Sequence, residues 1–293
     1  MYQQESFSSA FKRGFMTIPT MIRFIIAINV VVFLFQAIFG SIPVGGQSLN
    51  HWIISYLAFD PSLWTAITQP WRFVTYMFLH GSGFHLIFNL LWLWWMGRSV
   101  EETIGPRSFA VLFFGAGIGG AILHIGLSFL YGMNIVIGAS GAVFGVMVAF
   151  AYLFPAAPIM LLFLPPIQAR FLVAGLIAFD ILLIGSGDMI ARLVHLGGAG
   201  CGYLIIKSHA QGNDLAKYVR PIEVLFSSGA GSNREGKSRK PKNKKMYSVA
   251  DVEIIEEVDQ TELDRILEKI SREGYDGLTK EEKKTLFELS RKN

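Results

Sequence analysis

The residues of this chain most suited to carry out a reaction are a serine and a histidine that both lie inside apolar segments. Ser140 occurs in GASGAVFG at 138–145, and His195 occurs 55 residues later in VHLGGAGCGYL. A histidine within hydrogen-bond reach of a serine hydroxyl is the minimum needed to activate that serine as a nucleophile. Taken alone, each residue could also be a packing residue. The pair therefore predicts nucleophilic catalysis only if the fold brings the two side chains together.

Two further polar residues lie four positions apart in HGSGFHLIFNLLWLWW. At that spacing His85 and Asn89 would share one face of a helix, about one turn from each other. They could stabilise an oxyanion, or they could hydrogen-bond to neighbouring helices. Ionisable groups inside an apolar segment are costly and need partners. His124 and Asp180 are interpreted as structural polar contacts of this kind.

Small residues offer a way to bring Ser140 and His195 together. Gly198 and Gly202 follow His195 at i+3 and i+7, so the histidine and a glycine groove share one helical face. Small residues on membrane helices allow close backbone approach. The segment 138–145 supplies matching small residues, which are Gly138, Ala139, Gly141 and Gly145. We therefore predict that these two segments pack against each other.

Other types of hydrolytic site fit the sequence poorly. A soluble hydrolase elbow needs Gly-x-Ser-x-Gly between a strand and a helix, but Ala142 occupies the last position here. The stretch GSGD at 185–188 resembles a signature of intramembrane aspartyl proteases. However, Asp180 and Asp188 lie eight positions apart on one element, whereas a proton-sharing pair converges from separate helices. No His-Glu-x-x-His occurs, so a zinc peptidase site is not predicted either.

The composition divides the chain into an apolar part and a charged part. The chain is 52% hydrophobic and 16% charged, against about a quarter charged in typical soluble domains. Charges are scarce between 21 and 206 and frequent afterwards, which predicts an all-α, polytopic membrane domain followed by a soluble tail. The four prolines of 154–169 predict a loop rather than a seventh helix. The six predicted spans are 21–40, 83–103, 108–131, 138–154, 170–187 and 190–207.

Lysine and arginine near the span ends predict the orientation. Basic residues accumulate on the cytoplasmic side of membrane proteins. One side carries Lys12, Arg13, Arg23, Arg98, Arg107, Arg170 and Lys207, and the other carries Arg72 and Arg192. Both termini are therefore predicted to be cytoplasmic. The long first loop, 41–82, would lie on the opposite side, and its tryptophans and aliphatic residues favour the membrane interface.

The predicted domain plan has four parts. A cytosolic segment (1–20) precedes the six-helix domain (21–207), and a basic, Gly/Ser-containing linker (208–246) leads to a small helical cytosolic tail (247–293). In the tail, apolar spacing predicts two short amphipathic helices, with Thr279 and Glu282 forming a capping box. The run KSRKPKNKK is interpreted as linker that could also attract anionic lipid. Nucleic-acid binding is not expected, because no aromatic residues interleave the charges.

Taken together, these motifs resemble the rhomboid family of intramembrane serine proteases, of the bacterial type, over roughly residues 20–207. Each motif alone is weak, but their order on a six-span core is specific. The matching motifs are Trp71-Arg72, His85-x-x-x-Asn89, Gly97-x-x-x-Glu101, Gly138-x-Ser140-Gly141 and His195-x-x-Gly198-x-x-x-Gly202.

The resemblance implies a role for each matched residue. Ser140 would be the nucleophile and His195 its general base, in a dyad with no third carboxylate. Asn89, His85 and the Ser140 backbone N–H would stabilise the oxyanion. Arg72 and Glu101 would steady the first loop. No cofactor and no metal is implied.

The resemblance also implies partners and a location. The expected substrates are single-span membrane proteins in the surrounding lipid, and the expected location is the bacterial cytoplasmic membrane. The tail could bind an unknown partner. Two alternatives stay open: an inactive rhomboid-like protein that binds clients for trafficking or turnover, and a six-span transporter or channel. The presence of Ser140, His195 and Asn89 argues against the inactive protein. A transporter or channel would predict charged groups at the midplane and repeated halves, and the sequence has no detectable internal repeat.

Overall fold

The computed structural model describes residues 14–132, 134–161, 165–184 and 189–220, together with residues 265, 266, 268, 269, 278, 279 and 282. The chain divides into two compact units, Met1–Gly231 and Ser232–Asn293. The predicted domain boundaries at 20, 207 and 246 remain predictions beside this division.

The first unit is mostly helical. Its described α-helices are α1 (Thr20–Phe39), α2 (Leu49–Leu57), α3 (Leu63–Thr68), α4 (Arg72–Thr75), α5 (Gly83–Ile104), α6 (Pro106–Tyr131), α7 (Ser140–Leu153), α8 (Ala169–Leu182) and α9 (Met189–Ala210). Short 3-10 helices occupy Tyr76–Phe78 and Leu215–Tyr218.

The described residues also form four two-residue strands, so the fold is not entirely helical. β1 (Pro43–Val44) pairs with β2 (Gln47–Ser48), and β3 (Pro158–Ile159) pairs with β4 (Ile167–Gln168), both antiparallel. The β3–β4 hairpin lies in the proline-rich stretch, where no helix was predicted and the described residues form none. The described strands lie in loops between helices, so the architecture is a helical bundle with small hairpins.

The six longest described helices coincide with the six predicted apolar segments, but they differ in length and composition. Three described helical stretches are long and apolar enough to cross a membrane: α1, α9 and Pro106–Leu130 of α6. α7 and α8 have 14 residues each. α5 has 22 residues but carries Arg98, Glu101 and Glu102 near its end.

α7 is the central helix of the bundle. It packs against α5, α6, α8 and α9. Most of its residues between Gly141 and Phe150 are buried. By contrast, α1 exposes large apolar side chains such as Val31 and Ile38, each 65% exposed. Buried residues at the centre and exposed apolar residues outside are the pattern of a bundle surrounded by an apolar medium.

Glycines allow α9 to lie very close to both α7 and α6. A Cβ added to Gly202 would lie 2.6 Å from the Gly145 carbonyl oxygen, and one added to Gly145 would lie 2.9 Å from the Gly198 oxygen. The predicted packing of 138–145 against the histidine helix is therefore observed. A second contact was not predicted: a Cβ on Gly197 would lie 2.8 Å from the Gly120 Cα of α6.

The first loop is held by its own short helices. Arg72 donates to the Ala58 carbonyl at 2.7 Å, to Gln69 Oε1 at 2.6 Å and to the Ser55 carbonyl. Trp71 donates its indole N–H to the Tyr56 carbonyl at 3.0 Å. These bonds tie together α2 and α4, at the two ends of the loop.

Within the second unit, the described residues include the expected helix cap. The Thr279 N–H donates to Glu282 Oε2 at 2.7 Å, and the Glu282 N–H donates to Thr279 Oγ1 at 3.3 Å. This reciprocal pair is a capping box. Leu263, Leu267 and Ile270, which were predicted to form the apolar face, lie outside the described residues, and Ile266 is buried.

Candidate active site

Ser140, His195, His85 and Asn89 all line one cavity of about 860 Å³. Its walls come from α5, α7, α8, α9 and the segment before α7. The other lining residues are Phe88, Trp92, Asn134, Ile135, Val136, Ile137, Val143, Phe144, Met147, Leu176, Met189, Ile190 and Ala191. The structure therefore brings together the four polar residues whose types suggested chemistry.

Ser140 is the first residue of α7. The first backbone N–H groups of a helix have no partner within that helix, and the helix dipole is positive there. The Ser140 side chain thus lies beside an end of the bundle's central helix that favours negative charge. An oxyanion formed at this serine would lie where such donors are available.

Gly138 determines how the chain approaches Ser140. Its φ of +121° lies in a region that residues with side chains rarely adopt, and a Cβ there would lie 2.7 Å from His85 Cε1. The Gly138 N–H donates to the Tyr76 carbonyl at 2.9 Å. Two positions earlier, Val136 forms a two-way bridge with Phe59 of the first loop. The segment before the serine is therefore tied to the first loop and packed against His85.

The imidazole of His195 is held by two contacts. Its ring stacks on Phe144 with centroids 4.4 Å apart and planes 8° from parallel. Its Nδ1 lies 2.8 Å from Asp180 Oδ2. An ionised carboxylate can only accept, so Nδ1 carries the proton in this bond. Nε2 is then the nitrogen left free to act as a base.

Neither Phe144 nor Asp180 was predicted to act at the site. The resemblance implied a dyad without a carboxylate, whereas in the structure the Asp180 carboxylate lies within hydrogen-bond distance of the His195 imidazole. Two signals in the sequence were available: Phe144 follows Ser140 at i+4, on the same helical face, and Asp180 is an acidic residue in an apolar helix. His124, the other residue interpreted as structural, bonds through Nε2 to the Asn134 carbonyl at 2.9 Å.

His85 and Asn89 lie on one face of α5, as their spacing predicted. The Asn89 amide donates to the His85 carbonyl at 2.8 Å, which orients the asparagine side chain. The Ser82 hydroxyl accepts from the His85 N–H at 3.2 Å and caps the helix. His80 makes an edge contact with the His85 ring, with centroids 5.0 Å apart.

Two of the supporting residues, Gly97 and Glu101, do not line the cavity. Gly97 is packed closely, since an added Cβ would lie 3.1 Å from Ile22 Cδ1. Glu101 was expected to steady the first loop. Instead, its carboxylate accepts hydrogen bonds from the Met21 and Ile22 N–H groups, at 2.8 Å each. Glu101 thus caps the N-terminus of α1, where a negative charge is favoured by the helix dipole.

The geometry can be compared with known proteins at this point. Residues 68–210 match the family described as Rhomboid domain. This match to the rhomboid family covers slightly less than half of the 293 residues of the chain. The matched residues include Ser140, His195, His85 and Asn89, whereas α1 and most of the first loop precede them. The family and the three apolar helices together indicate an integral membrane protein.

Curated relatives carry protease names or the family name. The chain is 32% identical over 150 residues to "Rhomboid protease GluP" of Bacillus subtilis, covering 51% of this chain and 27% of the relative. It is 36% identical over 147 residues to "Rhomboid protein 1, mitochondrial" of Saccharomyces cerevisiae, covering 47% and 41%. It is 36% identical over 90 residues to "Rhomboid protease GlpG" of Klebsiella pneumoniae, covering 30% and 28%. The similarity thus spans less than half of each of these relatives.

The tail matches a different family. Residues 257–292 correspond to a family of unknown function, DUF6576. This match assigns no activity to the tail.

Proposed function

We propose that this chain is an intramembrane serine endopeptidase that hydrolyses peptide bonds in or near the transmembrane segments of membrane proteins. The observation that carries the proposal is the single cavity that Ser140, His195, His85 and Asn89 all line. The inactive, client-binding alternative has no comparable support, because each residue needed for the chemistry is present at the cavity.

The proposed reaction begins with proton transfer from Ser140 to His195. The Ser140 Oγ attacks the carbonyl carbon of the scissile bond as its proton moves to His195 Nε2, and the same proton then passes to the leaving amine. Water hydrolyses the resulting acyl-enzyme with His195 again acting as base. The Phe144 stack supports this role, because it limits the tilt of the imidazole ring.

The tetrahedral intermediate needs donors for its oxyanion. We assign this role to Asn89, His85 and the Ser140 N–H, which all belong to residues lining the cavity. Each such donor contributes about 3 kcal/mol to transition-state stabilisation in comparable sites. The position of Ser140 at the N-terminus of α7 supports the assignment.

We further propose that α1 and α5 to α9 all cross the membrane, with both termini on the cytoplasmic side. Fourteen residues of α7 extend about 21 Å, which is shorter than the roughly 30 Å hydrocarbon core. Ser140 would then begin its helix below the non-cytoplasmic surface, and water would reach it through the cavity. The four-part domain plan and a bacterial cytoplasmic membrane location belong to the same proposal.

The substrate would enter from the lipid. The cavity extends to Trp92 on α5 and Leu176 on α8, so an opening between these two helices would admit a single-span substrate. Movement of α8 or of the chain near residue 190 would widen it. Spin-label distances between α5 and α8 should therefore change while substrate is cleaved, and fixed distances during turnover would contradict this route.

The proposed activity is tested with detergent-purified protein and a generic single-span substrate. Wild-type protein should cleave it, whereas Ser140→Ala and His195→Ala should abolish cleavage without changing the thermal unfolding temperature by more than a few degrees. A fluorophosphonate should label wild-type protein and leave Ser140→Ala unlabelled. Equal cleavage by wild type and Ser140→Ala would end the protease proposal.

A further inference from the structure

Among the described residues, the carboxylate that contacts the proposed general base is that of Asp180, in the last turn of α8. Its Oδ2 lies 2.8 Å from His195 Nδ1, and the two side chains are 11% and 18% exposed respectively. Asp180 follows Leu176 at i+4 on the helical face that contributes to the cavity wall. None of the described residues that line the cavity carries a carboxylate, so Asp180 reaches the histidine from just outside it.

A purely structural role explains this carboxylate poorly. A negative charge near the C-terminus of a helix is disfavoured by the helix dipole, so Asp180 does not stabilise α8 as a cap. A carboxylate within a membrane segment is also costly unless it is paired. Among the described residues, the side chain that bonds to Asp180 is His195, which would take up a proton in the proposed reaction.

We propose that Asp180 is a positioning residue that converts the Ser140–His195 pair into a serine–histidine–carboxylate triad. The inference rests on the proposed function. Asp180 accepts the Nδ1 proton and so keeps Nε2 unprotonated and available to Ser140. Phe144 restrains the tilt of the imidazole, and the Asp180 bond restrains its rotation within the ring plane.

The proton count of the reaction is unchanged by this assignment. The Ser140 proton moves to Nε2 as the Oγ–carbon bond forms, and the Nδ1 proton stays on the imidazolium. Asp180 remains ionised and stabilises the imidazolium by its charge. When the carbon–nitrogen bond breaks, the Nε2 proton leaves with the amine, and the neutral Nδ1–H tautomer is restored.

The test compares Asp180→Asn and Asp180→Ala with wild type in detergent, with Glu102→Gln as the matched acid-to-amide control. Glu102 pairs with Arg98 on the exposed side of α5, so its variant should keep wild-type kinetics. Both Asp180 variants should lower kcat at least tenfold and leave KM within twofold. The rate of Ser140 labelling by a fluorophosphonate should fall by a similar factor, while the thermal unfolding temperature stays within a few degrees.

Each outcome separates this inference from the proposed function. Wild-type kcat and labelling in a folded Asp180→Asn would overturn the positioning role and leave the protease proposal intact. Failure of both Asp180 variants to fold would make Asp180 structural and would also overturn it. Absence of Ser140-dependent cleavage by the wild-type protein would overturn both proposals together.

Discussion

Side chains at the cavity are oriented by contacts that leave little freedom. His195 is held between the Phe144 ring and the Asp180 carboxylate, and the Asn89 amide is bonded to its own helix. Fixed orientation matters because a catalytic group is most effective when its geometry is set before the substrate arrives. At the residue scale, Gly138 likewise sets the direction of the backbone that leads into Ser140 before the substrate arrives.

Gly138→Ala should reduce cleavage at least tenfold. The new Cβ would both strain a backbone with a φ of +121° and lie 2.7 Å from the His85 ring. Gly212→Ala is the matched control, because Gly212 has a φ of +91° but no atom within 4 Å of an added Cβ. It would be strained without touching the cavity. Cleavage rates on one substrate distinguish the two, and equal rates would contradict the importance of the His85 contact.

At the scale of whole elements, glycine contacts decide how closely α9 approaches its neighbours. A Cβ on Gly141 would lie 2.8 Å from Val194 Cγ1, one position before His195. Gly145 and Gly202 repeat the close contact further along the same two helices. Close packing of α7 and α9 therefore holds Ser140 and His195 on facing elements, although 55 residues separate them in the chain.

Gly202→Ala should destabilise the bundle by about 1–3 kcal/mol, because overpacking forces the two backbones apart. Its Cβ would meet the Gly145 carbonyl oxygen at 2.6 Å. Gly200→Ala on the same helix meets nothing within 4 Å and should stabilise α9 by about 0.5–1 kcal/mol through its higher helix propensity. Thermal unfolding in detergent measures both effects. Shifts of the same sign and size would show that the α7–α9 contact does not limit stability.

For the whole molecule, the apolar exterior and the buried polar groups have different consequences. The exposed apolar residues on α1 suit a lipid environment. They carry no titratable group, so their contribution to stability should not depend on pH. His80 differs, because it is 3% exposed and lies in the loop just before α5. Burial, together with the positive charge of neighbouring His85, lowers the pKa of His80 to about 4.

This depressed pKa predicts that the folded state loses stability under mild acid. The unfolded chain takes up the His80 proton near pH 6.5, whereas the folded chain does so only near pH 4. Stability is therefore fully present above pH 6.5 and declines as the pH falls to about 4, by roughly 3 kcal/mol. His80→Gln should flatten this decline, while His51→Gln, at an exposed position, should retain it. Unfolding temperatures from pH 7.5 to 4 measure the slopes, and identical slopes would contradict the assignment to His80.

Several features could be predicted from the sequence because they depend on one segment at a time. Apolar length located the six long helices to within a few residues, although only three of them meet the criteria for a membrane span by themselves. Spacing of three or four placed His85 with Asn89, and His195 with Gly198, on shared helical faces. Small residues on two segments also predicted the α7–α9 contact, because close approach requires such residues on both sides.

Other features depended on how the helices are arranged in space. Periodicity shows which face of a helix a residue occupies, but not which neighbour that face meets. For that reason Glu101 was assigned to the first loop when it caps α1, and the Gly120–Gly197 contact was not predicted. The sequence alone determined the resemblance to the rhomboid family and the set of residues available for chemistry. Only the tertiary structure placed Asp180 against His195, because that contact requires α8 and α9 to pack with one particular relative rotation and depth.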